Sequence, residues 1–433
     1  GQHGLHRLEL RVDLDSPQDL YRSLNLVSGD FYQDTGGGQW EYRESFLVEH
    51  PFVSKQEHEV TIRGTITYLG KRLSSMRSRL DTRPFLRVTI PRATIHEPVL
   101  PATVHVTHWG SRRLTMVCEK TSAFMRTIDL EIDRITGTEL PRLYQTHSLQ
   151  ERPYDLPSLN LDIPRSYRRA GIDMRLISDR EVFAPTEAGA DLKWDEDELH
   201  NAMEHHFSEW RDRPQWKLYL LIAPHFRLYP DRRVTGIMYD SHYRDPHDSF
   251  PRQGVAAFYD TMRAIWETMS EAEFNRNYLR TCVHELGHAL NLLHPFDIDR
   301  PDSPSWMNYP WRYPYGYGMP SRWDGTQEFW QDCKFEFDLE ELCHLRHDSL
   351  MEVIPGGSAF GLSSYDEPAP LATSPREQET APVALYVRTR PERYLYHFAE
   401  PLTVELKLKN QMQVPMTVPD MLAPEYGLST LYI

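Results

Sequence analysis

Three histidines and one glutamate stand close together in residues 281–296, TCVHELGHALNLLHPF, and their spacing restricts how this part of the chain can fold. On an α-helix, His284 and His288 lie four residues apart and project from one face, so their imidazoles can converge on one ion. His294 lies ten residues after His284, too far along a continuous helix to reach the same ion. The helix must therefore end between the second and third histidines. Asn291 is suited to end it, because asparagine adopts the left-handed conformation more readily than other non-glycine residues.

A metal site is one interpretation of this run, and an amphipathic helix with incidental histidines is the other. Glu285 directly follows the first histidine, where a carboxylate can accept a proton from metal-bound water instead of binding the metal. Three protein ligands leave one position of a tetrahedral zinc site open for water, which is typical of catalytic rather than structural zinc. H-E-x-x-H also occurs by chance, but the third histidine at this spacing favours the metal site.

The run HELGHALNLLH resembles the signature of the metzincin metallopeptidases, H-E-x-x-H-x-x-G-x-x-H, which is followed by a methionine turn. It departs from that signature at Asn291, where the family usually has glycine. Met307, thirteen residues after His294, is the third residue of SWMNYPW, which is similar to the S-x-M-x-Y turn of astacins and serralysins. The resemblance covers residues 155–352, and its specific motifs lie only in 284–309.

The resemblance implies a role for each matched residue. The three histidines would bind one catalytic zinc ion, and Glu285 would act as general base for the zinc-activated water. Met307 would lie beneath the metal as an apolar floor, and Tyr309 would be a displaceable further ligand that stabilises the tetrahedral intermediate. The function expected from the resemblance is a zinc-dependent endopeptidase that hydrolyses peptide bonds in protein or peptide substrates.

Two other functions compete with this expectation. Gluzincins, another class of zinc peptidase, take a glutamate from a later helix as third ligand, but Glu340 and Glu341 come very late in this chain. The second competitor is a binding or adhesin-like protein whose zinc-bound domain does not cleave. The intact Glu285 argues against it, because a protein that only binds has no need of a general base.

The N-terminal part of the chain alternates between apolar and polar residues. Leu8, Leu10 and Val12 alternate with charged residues in HRLELRVDL, and EVTIRGTITY, FLRVTIP, ATVHVTHW and RTIDLEID repeat the pattern. This period predicts an all-β domain over residues 1–150, either a sandwich or a barrel. We expect it to be a scaffold or recognition module, because it contains no catalytic constellation.

Residues 155–354 mix the signals of helices and strands, and the resemblance implies a metzincin-like domain here. Three helices should begin with capping boxes, formed by Asp195 with Glu198, Ser270 with Glu273 and Asp338 with Glu341. The segment GVAAFYD, residues 254–260, is either the edge strand along which an extended peptide binds or a buried central strand.

The C-terminal part returns to strand character after a linker. Residues 355–380 are rich in glycine, serine and proline, which is typical of a linker. Residues 381–433 contain PVALYVRTRP and LTVELKLKN, and we expect a third β-domain that is cut short here. The expected fold is therefore multidomain: an α+β, metzincin-like catalytic domain with a twisted mixed sheet, an active-site helix and a C-terminal helix, flanked by all-β domains.

Charge and hydropathy exclude several classes of partner. The net charge of −15 argues against nucleic acid or an anionic membrane as the main partner. No run approaches the ~18 apolar residues that a membrane-spanning helix needs. The N-terminus, GQHGLHRLEL, does not have the form of a signal peptide. Secretion is usual in the family that the chain resembles, so we expect an extracellular protein whose leader is absent from this sequence, with a cytoplasmic location as the open alternative.

Two weaker signals have open alternatives. Four cysteines are too few for a disulfide framework, but Cys333 and Cys343 can either pair or remain buried thiols. The segment YDSHYRDPHDSF can be a loop with a second, structural metal or, as is more typical, a solvated polar loop. Its candidate ligands are Asp240, His242, Asp245, His247 and Asp248.

Overall fold

The computed structural model describes residues 1–14, 21–69, 84–91, 100–109, 112–227, 234–241, 250–318, 324–362, 383–390 and 403–410. The chain divides into two compact units, Gly1–Pro368 and Ala369–Ile433. The first unit combines two large sheets with α-helices, so the fold is mixed α and β, as the sequence predicts. Within the described residues, no helix has the length and apolar character that crossing a membrane requires.

The first sheet takes in most of the N-terminal segments that alternate in polarity. Its described strands are β1 (Gln2–His3), β2 (His6–Asp13), β3 (Leu26–Asp34), β4 (Trp40–Val48), β5 (Phe52–Lys55), β6 (Glu59–Thr65), β7 (Thr67–Leu69), β8 (Phe85–Pro91), β9 (Ala102–Trp109) and β10 (Arg112–Cys118). They pair antiparallel in the order β5-β6-β8-β9-β10-β1-β2-β3-β4-β7. Ile62 of β6 and Phe46 of β4 share one hydrophobic core, although their strands stand far apart in that order. The sheet therefore folds over on itself.

The second sheet is mixed, and it lies in the part of the chain that carries the histidines. A short pair, β12 (Tyr144–Gln145) and β13 (Asn160–Leu161), accompanies it. The strands of the second sheet itself are β11 (Arg126–Ile135), β14 (Ile172–Ser178), β15 (Val182–Phe183), β16 (Lys217–Ala223), β17 (Gly236–Met238) and β18 (Gly254–Phe258). The order is β14-β11-β16-β18-β17, with β15 also paired to β11. Only β17 runs antiparallel to its described neighbour.

Strand β11 corrects the expected extent of the N-terminal sheet. The sequence placed RTIDLEID with the first sheet, but β11 pairs in parallel with β14 and β16 of the second. The first sheet therefore ends at Cys118 and the second begins at Arg126, rather than near residue 150. The physical reason is that alternating polarity predicts a strand without identifying its partners, and the partners of β11 come later in the chain.

Strand β18 corrects the position expected for the peptide-binding edge. All five residues of β18 are buried, and the strand lies between β16 and β17. Of the two predicted alternatives, GVAAFYD therefore forms the buried central strand and not the edge strand. The last strand of the described order is β17, only three residues long, which the sequence did not single out for this position.

The helices begin where their capping residues predict. The described helices are α1 (Ile163–Arg169), α2 (Glu196–His206), α3 (Tyr259–Ile265), α4 (Glu271–Ala289), α5 (Thr326–Asp332), α6 (Leu339–His347) and α7 (Leu350–Val353). All three predicted capping boxes are present, at the starts of α2, α4 and α6. Helix α4 buries Leu279, Val283 and Leu286 in the same core as strands β16 and β18. The sheet thus supports the helix that carries the first two histidines.

The beginning of the predicted linker is part of the folded unit. The Arg252 guanidinium is buried and donates to the Ser358 carbonyl at 2.7 Å. The Gly356 amide donates to the Pro251 carbonyl at 2.7 Å, and Gly356 has a φ of 78°. Glycine and proline here therefore form turns that pack on the domain, and the expected linker start at residue 355 is wrong. Residues 363–380 lie outside the described residues.

Little of the expected C-terminal β-domain belongs to the described residues. Strands β19 (Val383–Arg390) and β20 (Thr403–Asn410) form an antiparallel pair. The rest of residues 381–433 lies outside the described part of the chain. The pair agrees with the strand character that the sequence predicts for these two segments.

The two C-terminal cysteines of the first unit do not form a disulfide. Cys333 is a buried free thiol, and Cys343 is a half-buried free thiol. Burial raises the pKa of both thiols to about 12, so they stay protonated near neutral pH. Of the two alternatives, the structure contains free thiols.

A buried polar contact joins the first sheet to helix α6. The Arg346 guanidinium donates from Nη1 to Asp13 Oδ2 at 2.9 Å, and His347 Nε2 lies 3.0 Å from the same oxygen. The other ring nitrogen of His347 lies 2.9 Å from the Ser28 hydroxyl. Because Asp13 and Ser28 belong to the first sheet and Arg346 and His347 to α6, these contacts fix the sheet against the domain that carries the histidines.

Candidate metal centre

Helix α4 ends directly after the second histidine, and its end returns the chain to its own last turn. The Leu292 amide donates to the Gly287 carbonyl at 3.0 Å. The Asn291 amide donates to the His288 carbonyl at 2.8 Å, and the two bonds together form a Schellman motif. Asn291 has a φ of 68°, in the left-handed region that this motif requires. The reversal brings His294 back beside the helix.

The Nε2 atoms of the three histidines converge. Nε2 of His288 lies 3.0 Å from Nε2 of His284 and 3.2 Å from Nε2 of His294. Two nitrogens bound to one tetrahedral zinc at about 2.0–2.1 Å would be about 3.3 Å apart. The three histidines are therefore close enough to bind one metal ion.

Each histidine has an acceptor for its other ring nitrogen. Nδ1 of His284 lies 3.0 Å from the Trp306 carbonyl oxygen, and Nδ1 of His288 lies 2.7 Å from the Leu292 carbonyl oxygen. A carbonyl can only accept, so the proton is on Nδ1 and the lone pair is on Nε2. This is the tautomer that binds a metal through Nε2.

Asp297 provides the hydrogen-bond acceptor for Nδ1 of the third histidine, His294. Its Oδ2 lies 2.9 Å from Nδ1 of His294, and its Oδ1 accepts a hydrogen bond from the Tyr317 hydroxyl at 2.8 Å. A carboxylate on the far nitrogen fixes the ring and makes Nε2 a stronger ligand. The sequence analysis missed Asp297, although an aspartate three residues after a candidate ligand is a usable signal.

Burial keeps the three imidazoles uncharged. Burial lowers the pKa of His288 to about 3, and the neighbouring His294 lowers it further. Burial also lowers the pKa of His294 to about 3, and there Arg280 adds to the effect. The pKa of His284 is also far below its ordinary value, because of burial and then of His288. Neutral imidazoles are the form that coordinates metal, and three converging lone pairs favour a cation between them.

Glu285 faces the last strand of the sheet, β17. Its side chain is 8% exposed, and it accepts a hydrogen bond from the Met238 backbone. A Cβ on Gly236 would lie 2.8 Å from Glu285 Oε1, so this glycine allows the strand to pass directly over the carboxylate. Burial raises the pKa of Glu285 to about 8, although Arg280 lowers it. The carboxylate is therefore held in one position, next to the strand that ends the described order of the sheet.

The methionine turn packs beneath the histidine helix. A Cβ on Gly287 would lie 2.4 Å from the sulfur of Met307, which is fully buried. The Met307 amide donates to the Ser305 hydroxyl at 3.0 Å, and that hydroxyl donates to Glu341 at 2.8 Å. Glu341 belongs to the capping box of α6. Helix α6 therefore holds the turn that packs against helix α4.

Tyr309 lies against two of the three histidine rings. Its ring centre is 5.4 Å from that of His284 and 4.5 Å from that of His294. Burial raises the pKa of Tyr309 to about 12, so its hydroxyl keeps its proton near neutral pH. The Arg280 guanidinium is 5.9 Å from the Tyr309 ring and donates to the Asn308 carbonyl. Arg280 was not predicted, and its only sequence signal is a charge on the apolar face of α4.

The segment after α7 contributes a wall to the centre. The Phe360 ring stands edge-on to His288, with 5.3 Å between ring centres. The Asn291 side chain holds this segment, because it donates to the Glu352 carbonyl at 3.0 Å and accepts from the Gly361 amide at 3.0 Å. Sequence analysis did not find Phe360, which lies in the predicted linker.

Aromatic side chains form another border of the centre. Trp311 stacks on Tyr309 at 4.5 Å between ring centres, and Tyr317 stands edge-on to Phe296 at 5.5 Å. Trp311 and Tyr317 are about half and three-quarters exposed, so this border of the centre reaches the protein surface. Residues 319–323, which follow it along the chain, lie outside the described residues.

The predicted second metal loop cannot be assigned a site from the described residues. Four of its candidate ligands, His242, Asp245, His247 and Asp248, lie outside them. Asp240 is described, and its carboxylate lies 2.5 Å from Nδ1 of His200. The loop therefore stays a prediction.

Comparison of the chain with protein-family models, with curated proteins and with solved structures gave no match. Function is therefore inferred from the centre itself. Three neutral imidazoles can hold a divalent ion, and the buried carboxylate of Glu285 directly follows the first of these histidines on α4. Such an arrangement can activate a water molecule and hold a polar substrate group at one metal.

Proposed function

We propose that this chain is a zinc-dependent endopeptidase of the metzincin type. The observation that carries the proposal is the convergence of three Nε2 atoms whose rings are each fixed through Nδ1, beside the carboxylate of Glu285. The mixed sheet, the active-site helix, the methionine turn and the later helix α6 come in the order that the resemblance implies. These features support the same class.

Zinc fits the donor set better than the common hard cations. Calcium and magnesium prefer oxygen ligands, whereas the centre offers three imidazole nitrogens. Three protein ligands with one open position are the usual donor set of catalytic zinc. Bound zinc would lower the pKa of its water and polarise a carbonyl group. Its ligands would be His284, His288 and His294.

The residues around the centre supply the rest of the chemistry. Glu285 takes a proton from the attacking water and passes it to the leaving amine. Tyr309 keeps its hydroxyl proton and donates it as a hydrogen bond to the oxygen that becomes negative. Met307 stays beneath the histidines and keeps water away from that side.

Strand β17 suits an extended peptide as substrate. It is the last strand in the described order, and its neighbour β18 is buried on both sides. An extended chain can pair with such an edge by main-chain hydrogen bonds. Because Gly236 of β17 lies against Glu285, a peptide on this edge would cross the catalytic carboxylate. This placement favours peptide hydrolysis over the binding-only alternative.

Metal analysis and hydrolysis of an unstructured protein such as casein test the proposal. We expect about one zinc per chain, and loss of activity with a chelator that added zinc reverses. Glu285→Ala should keep zinc and lower the rate by about 10²–10⁴-fold, the usual contribution of a positioned acid–base group. Glu285→Ala with normal hydrolysis would overturn the mechanism.

His294→Ala tests the third ligand separately. We expect the variant to retain zinc much more weakly than the wild type, because only two histidines would remain. Asp297→Asn is the matched variant, since it keeps the ligand and removes the charge behind it. It should weaken zinc by about 10–100-fold. If His294→Ala held zinc as tightly as the wild type, the metzincin assignment would be wrong.

A further inference from the structure

A second group of possible metal ligands lies on strand β11, apart from the histidine centre. Glu131 and Asp133 are two residues apart on β11, and Glu181 directly precedes the paired strand β15. One carboxylate oxygen from each of the three residues lies within 4.8 Å of the other two. Glu131 and Asp133 are almost fully buried, at 1% and 0% exposure.

Asp133 is the most deeply buried carboxylate of this group. Both of its carboxylate oxygens are buried, and neither makes a hydrogen bond of normal geometry with the described residues. Burying a carboxylate without compensation is strongly unfavourable, so such a group normally has a counter-charge or a proton. No lysine or arginine in the described part of the chain forms an ion pair with Glu131, Asp133 or Glu181.

The other two carboxylates are only partly satisfied. Glu131 accepts a hydrogen bond from the Ser208 amide at 3.1 Å and another from the Ser208 hydroxyl. Glu181 Oε1 lies 3.3 Å from Nδ1 of His206, whose Nε2 is 2.7 Å from Glu187. Each carboxylate therefore keeps free lone pairs for a ligand. The buried Tyr219 hydroxyl lies next to Asp133 and can donate one hydrogen bond to it, which leaves the other lone pairs of this carboxylate for a ligand.

We propose that Glu131, Asp133 and Glu181 bind a calcium ion. The ion would tie strand β11 to the segment before β15 and, through Ser208, to the end of helix α2. The proposal does not rest on the peptidase function, because no residue is shared with the histidine centre.

Calcium suits these ligands better than other common cations. Its oxygen ligands lie at about 2.3–2.6 Å, so two oxygens on opposite sides of the ion are up to about 5 Å apart. Three carboxylate oxygens that all lie within 4.8 Å of one another are compatible with that separation. Magnesium keeps several waters and is rarely enclosed by protein carboxylates, and zinc prefers nitrogen and sulfur ligands.

The competing explanation is that Asp133 is protonated. Burial, followed by the charge of Glu131, raises the pKa of Asp133 to about 7, so a proton and a calcium ion compete for the same carboxylate near neutral pH. A protonated Asp133 would resemble asparagine in charge. The two explanations therefore differ in how the Asp133→Asn variant responds to calcium.

Calcium titration of metal-free, full-length protein by calorimetry at pH 8 is the test. We expect one calcium per chain with a Kd of about 10⁻⁴ M or tighter. Asp133→Asn and Glu181→Gln should each weaken binding by at least about 10-fold, the lower bound for loss of a supporting group at a metal site. Glu187→Gln is the matched control, because it also removes a carboxylate partner of His206 but no proposed ligand, and its binding should equal that of the wild type.

Thermal unfolding gives an independent readout. Calcium should raise the midpoint of the wild type and of Glu187→Gln, since a ligand that binds the folded state stabilises it. Without calcium, Asp133→Asn should unfold at or above the wild-type temperature, because it removes an uncompensated buried charge. Absence of calcium binding at about 10 mM in the wild type, or equal binding by Asp133→Asn, would overturn the proposal.

Discussion

Asn291 adopts a backbone conformation that favours glycine, and its side chain makes contacts that glycine could not make. Glycine would adopt the left-handed conformation without strain, whereas other L-residues lose roughly 1–2 kcal/mol there and asparagine somewhat less. The side-chain amide of Asn291 donates a hydrogen bond to the Glu352 carbonyl and accepts one from the Gly361 backbone amide. The residue is fully buried. The residue thus ends helix α4 and holds the segment that brings Phe360 to His288.

Substitution of Asn291 separates these two roles. Asn291→Gly loses both side-chain hydrogen bonds but relieves the backbone, whereas Asn291→Ala loses the same bonds and keeps the strain. We therefore expect the alanine variant to be about 1 kcal/mol less stable than the glycine variant, with both below the wild type. Denaturant unfolding of the metal-free proteins measures this order. An alanine variant as stable as the glycine variant would show that the left-handed conformation is not required.

Gly236 controls the position of the Glu285 carboxylate, the general base of the proposed peptidase. A Cβ at this residue would lie 2.6 Å from Cγ of Glu285, so Gly236→Ala must displace either the strand or the carboxylate. We expect at least a 10-fold loss of the hydrolysis rate, because a positioned base contributes about 10²–10⁴-fold. Zinc content should not change, because the atoms nearest to a Cβ at Gly236 belong to Glu285 and Thr281 and not to the histidines. Gly318→Ala is the control, since a Cβ there meets no atom within 4 Å. Equal activity of the two variants would contradict this role.

Among the elements, α6 supports the centre from a distance. Its capping residue Glu341 accepts from the Asp338 amide at 2.8 Å and from the Ser305 hydroxyl at 2.8 Å. Ser305 in turn accepts from the Met307 amide. The start of one helix thereby determines where the methionine turn lies beneath α4.

Removal of the Glu341 carboxylate should loosen this turn. Glu341→Ala leaves the buried Ser305 hydroxyl and the Asp338 amide without their acceptor, at roughly 1–3 kcal/mol for each unsatisfied group. Glu341→Gln keeps one acceptor oxygen and should lose less stability. Unfolding free energies of both variants, measured with zinc bound, test this order. If alanine and glutamine were equivalent, the carboxylate would not hold the turn.

Local signals explain most of what the sequence predicted correctly. The capping box joins Ser270 to Glu273, three residues later. The three histidines likewise lie within a single run of eleven positions. Strand β11 was assigned to the wrong sheet, because its partners come later in the chain. Phe360 was missed because a glycine-rich composition describes packed turns and linkers equally well. Sequence patterns thus predicted the ligands but not the elements that enclose them.

At the scale of the whole molecule, the contact between the first sheet and α6 depends on an uncharged histidine. His347 is fully buried between Asp13 and Ser28 and next to Arg346. Burial lowers its pKa to about 4, and although Asp13 opposes this, Arg11 and Arg346 add to the lowering. Protonation would place a third positive charge among the two arginines at this contact.

The low pKa of His347 predicts that acid weakens the contact. The unfolded chain takes up this proton near pH 6.5, and the folded protein only near pH 4. The contribution of His347 to stability is therefore complete above about pH 6.5 and is lost as the pH falls to about 4, which amounts to roughly 3 kcal/mol.

His347→Gln can keep the donor to Asp13 and the acceptor for Ser28 without titrating. Unfolding free energies between pH 7 and 4, measured without metal, should fall less for His347→Gln than for the wild type. The exposed His58→Gln should follow the wild type, and parallel pH profiles for all three proteins would show that folding does not lower the pKa of His347.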